Sequence, residues 1–258
     1  MSNCLADAPS YNWPRMPYIW VLLALTLVLQ IAPAVSDENI PDVVNRVAEQ
    51  LIPGLEPDRV HSTPIPDLYL AAFGVQLVYI SADGHYLLTG DLIELDSSRN
   101  LAEEVRNEVR REAIDMLDES GMVVFLPEQE RSNITVFTDI TCPYCSKLHQ
   151  EIGVLSNGGV KVRYLAYPRA GIPSEAHDIL VSVWCADDPQ QAMTDAKSGR
   201  QIEQKNCDTQ FLAHMAVAER VGVRGTPTIL LQNGRILPGY VPAEELVQLA
   251  NVAAGTGD

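Results

Sequence analysis

Phe137-Thr138-Asp139-Ile140-Thr141-Cys142-Pro143-Tyr144-Cys145 carries a short apolar strand into a helix that opens on a cysteine and a proline. Ile134 to Phe137 has strand character. Pro143 to Gly153 reads as the helix, because proline at the first helical position gives up no amide bond that the helix would have made. Val160 to Ala166 reads as a second strand, and a strand-helix-strand crossover sets the two strands parallel. Residues 174–221 read mostly as helix with polar loops. Thr228 to Leu231 and Arg235 to Leu237 flank Asn233-Gly234, a two-residue hairpin signal, and Ala243 to Ala250 is a final amphipathic helix. The order is β-α-β, a helical insert about 174–221, then β-β-α.

Two cysteines separated by two residues serve either metal ligation or redox exchange. A structural zinc site needs four ligands. No second Cys-x-x-Cys exists, and His149, His177 and His214 lack ligand spacing, so no metal and no cofactor is expected. On the redox reading Cys142 sits at a helix N-terminus, where unpaired amides and the macrodipole favour its thiolate. Cys145 lies one turn on, close enough to attack a mixed disulfide formed by Cys142. Cys142 is expected to be the exposed nucleophile and Cys145 the buried resolving thiol, and a static disulfide between them is the alternative. Tyr144 is expected to tune access. Asp139 reads as a solvated strand-end carboxylate, with an acid near the site as the alternative, and His149 as a surface histidine, with a catalytic one as the alternative. Pro227 directly precedes a strand, where proline is tolerated only at the first position. Cys185 and Cys207 both fall in the helical insert and read as a structural disulfide, with a second redox pair or two free thiols as alternatives.

Upstream the texture changes. Residues 37–52 look helical, with Val43, Val44, Val47 and Leu51 at helical spacing. Leu68 to Phe73, Val75 to Ile80 and Tyr86 to Thr89 read as strands, with Ala82-Asp83-Gly84 as a turn. This small unit, 37–97, is marginal alone, and pairing through its sheet edge would help it. Residues 98–120 form a charged helix. Asn100 reads as its cap with Glu103 as capping-box partner, and Leu101, Val105, Val109 and Met116 make a thin apolar stripe. Such a helix either bridges two domains through solvent or packs on one of them.

The first segment reads as a targeting signal. Arg15 precedes the apolar run Ile19 to Leu29, and Ala32-Pro33-Ala34 fits a small-x-small cleavage site, with Ala34-Val35-Ser36 as a second candidate. A signal peptide over 1–34 is expected, with an uncleaved anchor or a start at Met16 as alternatives. Cleavage removes Cys4 and leaves four cysteines, an even count that suits an oxidising compartment. The chain of 258 residues has a formal net charge of −16, which argues against a nucleic-acid partner and against anionic lipid.

Phe137 to Cys145, Val162-Arg163-Tyr164-Leu165-Ala166-Tyr167-Pro168-Arg169, Gly225-Thr226-Pro227 and Leu237-Pro238-Gly239-Tyr240 together resemble the bacterial DsbC/DsbG family of disulfide isomerases. Trp184-Cys185-Ala186 and Cys207 match that family's structural disulfide. The resemblance covers essentially the whole mature chain and is strongest from Asn133 to Tyr240. It implies an α+β protein: a cystatin-like N-terminal dimerisation domain, a linker helix, and a thioredoxin-like catalytic domain over 121–258. It also implies a periplasmic, V-shaped homodimer with chaperone activity, kept reduced by an inner-membrane thiol reductase of DsbD type and acting on misfolded disulfide-containing exported proteins. Cys142 is then the nucleophile, Cys145 the resolving cysteine, and Thr226-Pro227 the cis-proline loop, with Thr226 beside the sulfur. Pro143 departs from the family's usual motif, which has glycine there. Proline also occurs at this place in glutaredoxins and in the oxidant DsbA. Known dithiols span roughly −270 to −120 mV, and the motif alone does not place the chain on that scale. A DsbG-like reductase of oxidised single cysteines, a DsbA-like oxidant and a non-catalytic holdase are the alternatives to an isomerase.

Overall fold

The computed structural model describes residues 40–52, 54 and 56–256, so the expected signal peptide lies outside the described residues. Asp42–Leu51 forms α1. Four antiparallel strands follow in sheet order, β1 (Arg59–Ser62), β2 (Leu68–Phe73), β3 (Gln76–Ser81) and β4 (Leu87–Thr89). Alternation along the strands splits the apolar residues between two faces. Ala71, Phe73 and Ile80 share a core with Val44 and Ala48 of α1. Leu70, Ala72, Leu77 and Tyr79 point the other way and share a second core with Ala102.

A hairpin with strands of two residues each, β5 (Ile93–Glu94) and β6 (Arg99–Asn100), leads into α2 (Leu101–Asp115). Asn100 caps α2 by accepting from the Glu103 amide at 3.0 Å. The reciprocal half of the expected capping box is absent, because the Glu103 carboxylate is drawn to Arg106 and Arg110 at 3.2 and 2.6 Å. The buried stripe also differs from the expected one. Ala102, Val109, Ala113 and Ile114 are buried, whereas Met116 lies past the helix and is exposed. Small alanines let α2 lie close on its neighbours. Its first turn belongs to the core of the small sheet, and Ala113 and Ile114 belong to a core with Ala218 and Val221 further along the chain. The helix is therefore packed at both ends rather than surrounded by solvent.

The third part has a five-stranded sheet. Its elements are β7 (Val123–Phe125), β8 (Ser132–Thr138), α3 (Pro143–Gln150), α4 (Ile152–Asn157), β9 (Val160–Ala166), α5 (Glu175–Trp184), α6 (Pro189–Lys197), α7 (Phe211–Val221), β10 (Thr228–Leu231), β11 (Ile236–Pro238) and α8 (Ala243–Ala253). The strand order is β11-β10-β8-β9-β7. β8 and β9 run parallel and their other neighbours antiparallel. This is the thioredoxin arrangement with an edge strand added and a helical insertion after β9. Ile134, Val136, Val162 and Tyr164 share one core with Leu148, Leu155, Leu246 and Ala250. Phe137, Leu165 and Leu230 share the other with Ala218, Val221, Ala113 and Ile114. Fully burying a side chain such as Phe137 stabilises by roughly 1.5–3 kcal/mol.

Two local expectations are corrected here. The helix expected over Pro143 to Gly153 breaks at Glu151. That residue's carboxylate instead accepts from the Tyr240 hydroxyl at 2.6 Å and from the Ala243 amide at 2.8 Å, which caps α8. Asn233-Gly234 belongs to a three-residue loop, since the Leu231 amide bonds the Arg235 carbonyl at 2.9 Å. Gly234 has φ of +86°, and a Cβ there would lie 1.9 Å from the Asn107 carbonyl oxygen of α2. Only glycine lets the hairpin approach that helix.

Candidate active site

β8 ends at Thr138 and α3 begins at Pro143, so the reactive pair lies at a strand end and a helix start together. Cys142 is the N-cap of α3, and its carbonyl accepts from the Ser146 amide at 3.1 Å. Cys145 lies within the first turn. Thr226-Pro227, a cis peptide, precedes β10, the strand that pairs with β8. That pairing brings the expected loop to the pair: the Cys142 thiol donates to the Thr226 carbonyl oxygen at 3.2 Å. The Thr226 hydroxyl is buried beside both sulfurs; it has no hydrogen-bond partner while they are thiols and is placed to donate to Cys142 once that sulfur is a thiolate.

Both cysteines are free thiols, and the expected contrast in exposure is not found. Cys142 is 2% exposed and Cys145 1%. Tyr144 between them is 60% exposed, so the turn presents the ring and tucks in both sulfurs. Electrostatics separates the two instead. Burial pushes the Cys142 thiol up, but the Thr226 side chain, the Cys145 group and the amides of Cys145 and Tyr144 outweigh it, and its pKa falls below the ordinary thiol value. Burial is the larger influence at Cys145 and raises its pKa, against Lys197 and the Asp139 amide.

Asp139 is not a solvated strand-end carboxylate. It is 1% exposed, accepting from the Thr141 amide and hydroxyl at 2.7 Å each and from the Arg169 amide and Nε at 2.8 and 3.0 Å. Burial pushes its carboxyl up, and these bonds more than reverse it, so the pKa is lowered. His149 is not at the surface either. Its ring nitrogens meet the Tyr164 hydroxyl and Thr194 Oγ1, both at 3.1 Å, and burial with Lys197 nearby lowers it to about 4. His214 is buried on α7 and accepts from the Ala166 amide at 3.3 Å. Cys185 and Cys207 form a disulfide that spans the insert.

Lys197 is the residue that sequence reasoning missed. It ends α6 buried, with Nζ donating to Thr138 Oγ1 at 2.8 Å and to the Asp139 carbonyl at 3.0 Å. The available signal was its place four residues after Met193, on the apolar side of a short helix. Among the described residues no group of three or more His, Cys, Asp or Glu side chains could hold a metal ion.

Residues 119–254 match the family described as a thioredoxin-like domain, and residues 34–103 match the disulfide bond isomerase protein N-terminal domain. The thiol:disulfide interchange protein DsbC of Dickeya dadantii is 36% identical over 225 residues, 87% of this chain and 91% of that protein. The chain belongs to the DsbC family. The DsbC of Escherichia coli K12 is 33% identical over 75% of this chain and 80% of its own length, and that of Salmonella typhimurium 34% over the same shares. The chain is thus a thiol:disulfide interchange protein, an oxidoreductase whose thioredoxin-like part carries the pair and whose N-terminal part is of the isomerase type.

Proposed function

We propose that this DsbC-family chain is a periplasmic homodimer that reduces and rearranges wrong disulfides in exported proteins. The observation that carries the reading is the Cys142 sulfur held 3.2 Å from the Thr226 carbonyl, beside backbone that an extended substrate can pair with. The Cys142 thiolate attacks a substrate disulfide, one substrate sulfur leaves and takes up a proton, and a mixed disulfide remains. A second substrate thiolate then displaces Cys142 and completes the rearrangement. Where none arrives, Cys145 displaces the substrate as a thiol and the pair is left oxidised. An inner-membrane reductase of DsbD type would return two electrons to it. Pro143 and Tyr144 shape the approach, and the Cys185–Cys207 bond is structural.

The same reading assigns 1–34 to a signal peptide, 37–97 to the dimerisation domain, 98–120 to the linker helix and 121–258 to the catalytic domain. Pairing is supported by β4, an edge strand whose Leu87 and Leu88 are exposed together with Tyr86, Ile93 and Leu95. Two catalytic domains over one cleft would also provide an accessory chaperone activity. The test is refolding of a scrambled multi-disulfide substrate. Wild type accelerates it, Cys142→Ala does not, and a wild type without effect overturns the reading. Light scattering of the mature chain should give a dimer.

Pro143 at the first helical position favours a second reading, a DsbA-like oxidant, beside which stands a DsbG-like reductase of oxidised single cysteines. A pair found mostly oxidised in the cell would favour the oxidant. Aggregation suppression that survives loss of both thiols, with no exchange activity in wild type, would leave only the holdase.

A further inference from the structure

Lys197 lies where an ammonium group is costly. Lysine ordinarily keeps its charge in water, yet this one is 6% exposed. The two oxygens that Nζ meets, Thr138 Oγ1 and the Asp139 carbonyl, carry no charge. The Thr138 side chain and the Asp139 backbone also border the Cys145 sulfur, so ammonium and resolving thiol gather around one strand end.

The titratable groups facing Lys197 come from every element around it. Cys142, Cys145 and His149 lie on or at the start of α3, Asp139 follows β8, and Arg169 follows β9. Tyr164 of β9 faces Cys145. His149 is held neutral, and the Asp139 carboxylate is engaged by Arg169. The negative charge that balances the ammonium is then a cysteine thiolate, formed during exchange.

We infer that Lys197 is a positioning cation for the resolving step, its buried charge favouring the thiolate form of Cys145 as that sulfur attacks the bond between Cys142 and substrate. The inference rests on the exchange role proposed above. The Cys145–Cys142 bond forms, and the Cys142–substrate bond breaks. The substrate sulfur leaves with the electron pair and takes up the proton that Cys145 gave up. Lys197 stays protonated throughout. Burial lowers Lys197 to about 8, and the two cysteines pull it back up, Cys145 before Cys142.

The test mixes the reduced full-length protein with dithiobis-nitrobenzoate and follows release of the coloured thiolate by stopped flow across pH. Attack by Cys142 releases the first equivalent, and displacement by Cys145 releases the second. In Lys197→Met the second phase should slow about tenfold at neutral pH, with its pH profile displaced upward by about one unit, the size expected for loss of one nearby charge. Lys197→Gln keeps a donor for the two oxygens but no charge. It should behave the same, and it replaces the Met variant if that one does not fold. A second phase equal to wild type in a folded variant overturns the inference. So does slowing without displacement of the profile, which marks a packing role. A wild type with no first phase overturns the role of Cys142 instead.

Discussion

The sulfur of Cys142 and the carbonyl oxygen of Thr226 lie 3.2 Å apart across 84 residues of chain. The antiparallel register of β10 on β8, with Thr228 opposite Phe137, makes that contact, since Thr226 and Cys142 lie just beyond the same end of the paired strands. Thr226→Val keeps the shape and removes the hydroxyl beside both sulfurs. The Cys142 pKa should rise, and alkylation by iodoacetamide near neutral pH should slow several-fold, as expected for a hydrogen bond that favours the charged form. The pH profile of alkylation measures this, and a profile identical to wild type would show that the amides alone set the thiolate.

Asp139 links strand end, active-site turn and Arg169, so Asp139→Asn should destabilise by about 2 kcal/mol, the range for hydrogen bonds to a charged group. Its folded pKa is depressed, so its contribution is present above the unfolded value of 3.8 and is lost as pH falls through the lower folded value. Urea denaturation of both proteins should show the gap near neutral pH and a smaller one in that acidic range.

The histidines act in a separate window. His149 and His214 are both held neutral by burial, each lowered from 6.5 to about 4. The unfolded chain therefore binds more protons than the folded one in that interval, and stability falls as pH drops through it. Each histidine contributes a slope of about 1.4 kcal/mol per pH unit at most. His214→Phe should flatten the decline, which denaturation midpoints from pH 7 downward will register.

Gly234→Ala places a methyl group against the backbone of α2 at a position with positive φ. A loss of about 2 kcal/mol or more is expected, with the urea m-value unchanged. Gly171 has a similar φ and open space around it, so Gly171→Ala should lose less.

Opening the Cys185–Cys207 bond by a double serine substitution should lower stability by about 3 kcal/mol, the loop-entropy value for a closed loop of this size. Calorimetry of the oxidised protein measures the change.

The catalytic strands, the helix start at Cys142 and the place of Thr226-Pro227 were legible, because apolar runs, proline and a cysteine pair are local signals. β7 was not, since Val123–Phe125 is three residues long and gains its meaning only by pairing with β9. β1 was hidden by its composition, Arg-Val-His-Ser, which holds one aliphatic residue. Asp139, His149 and Lys197 were misread or missed for one reason. Polar residues look solvated in a sequence: Arg169 folds back on the Asp139 carboxylate, and the insert brings Thr194 to His149 and Lys197 to the strand end, contacts between segments far apart in the chain.

α2 has a mechanical consequence. Its fifteen residues span about 22 Å at ~1.5 Å per residue. One end is seated in the small sheet's core and the other in the catalytic core. Arg110 bonds the Val221 carbonyl at 3.3 Å, and Arg220 pairs with Asp58 at 2.8 Å. A strut fixed at both ends transmits position, whereas a flexible tether loses it. If two chains pair as proposed, the gap between their Cys142 sulfurs would be a built-in gauge, set by the length of this one helix.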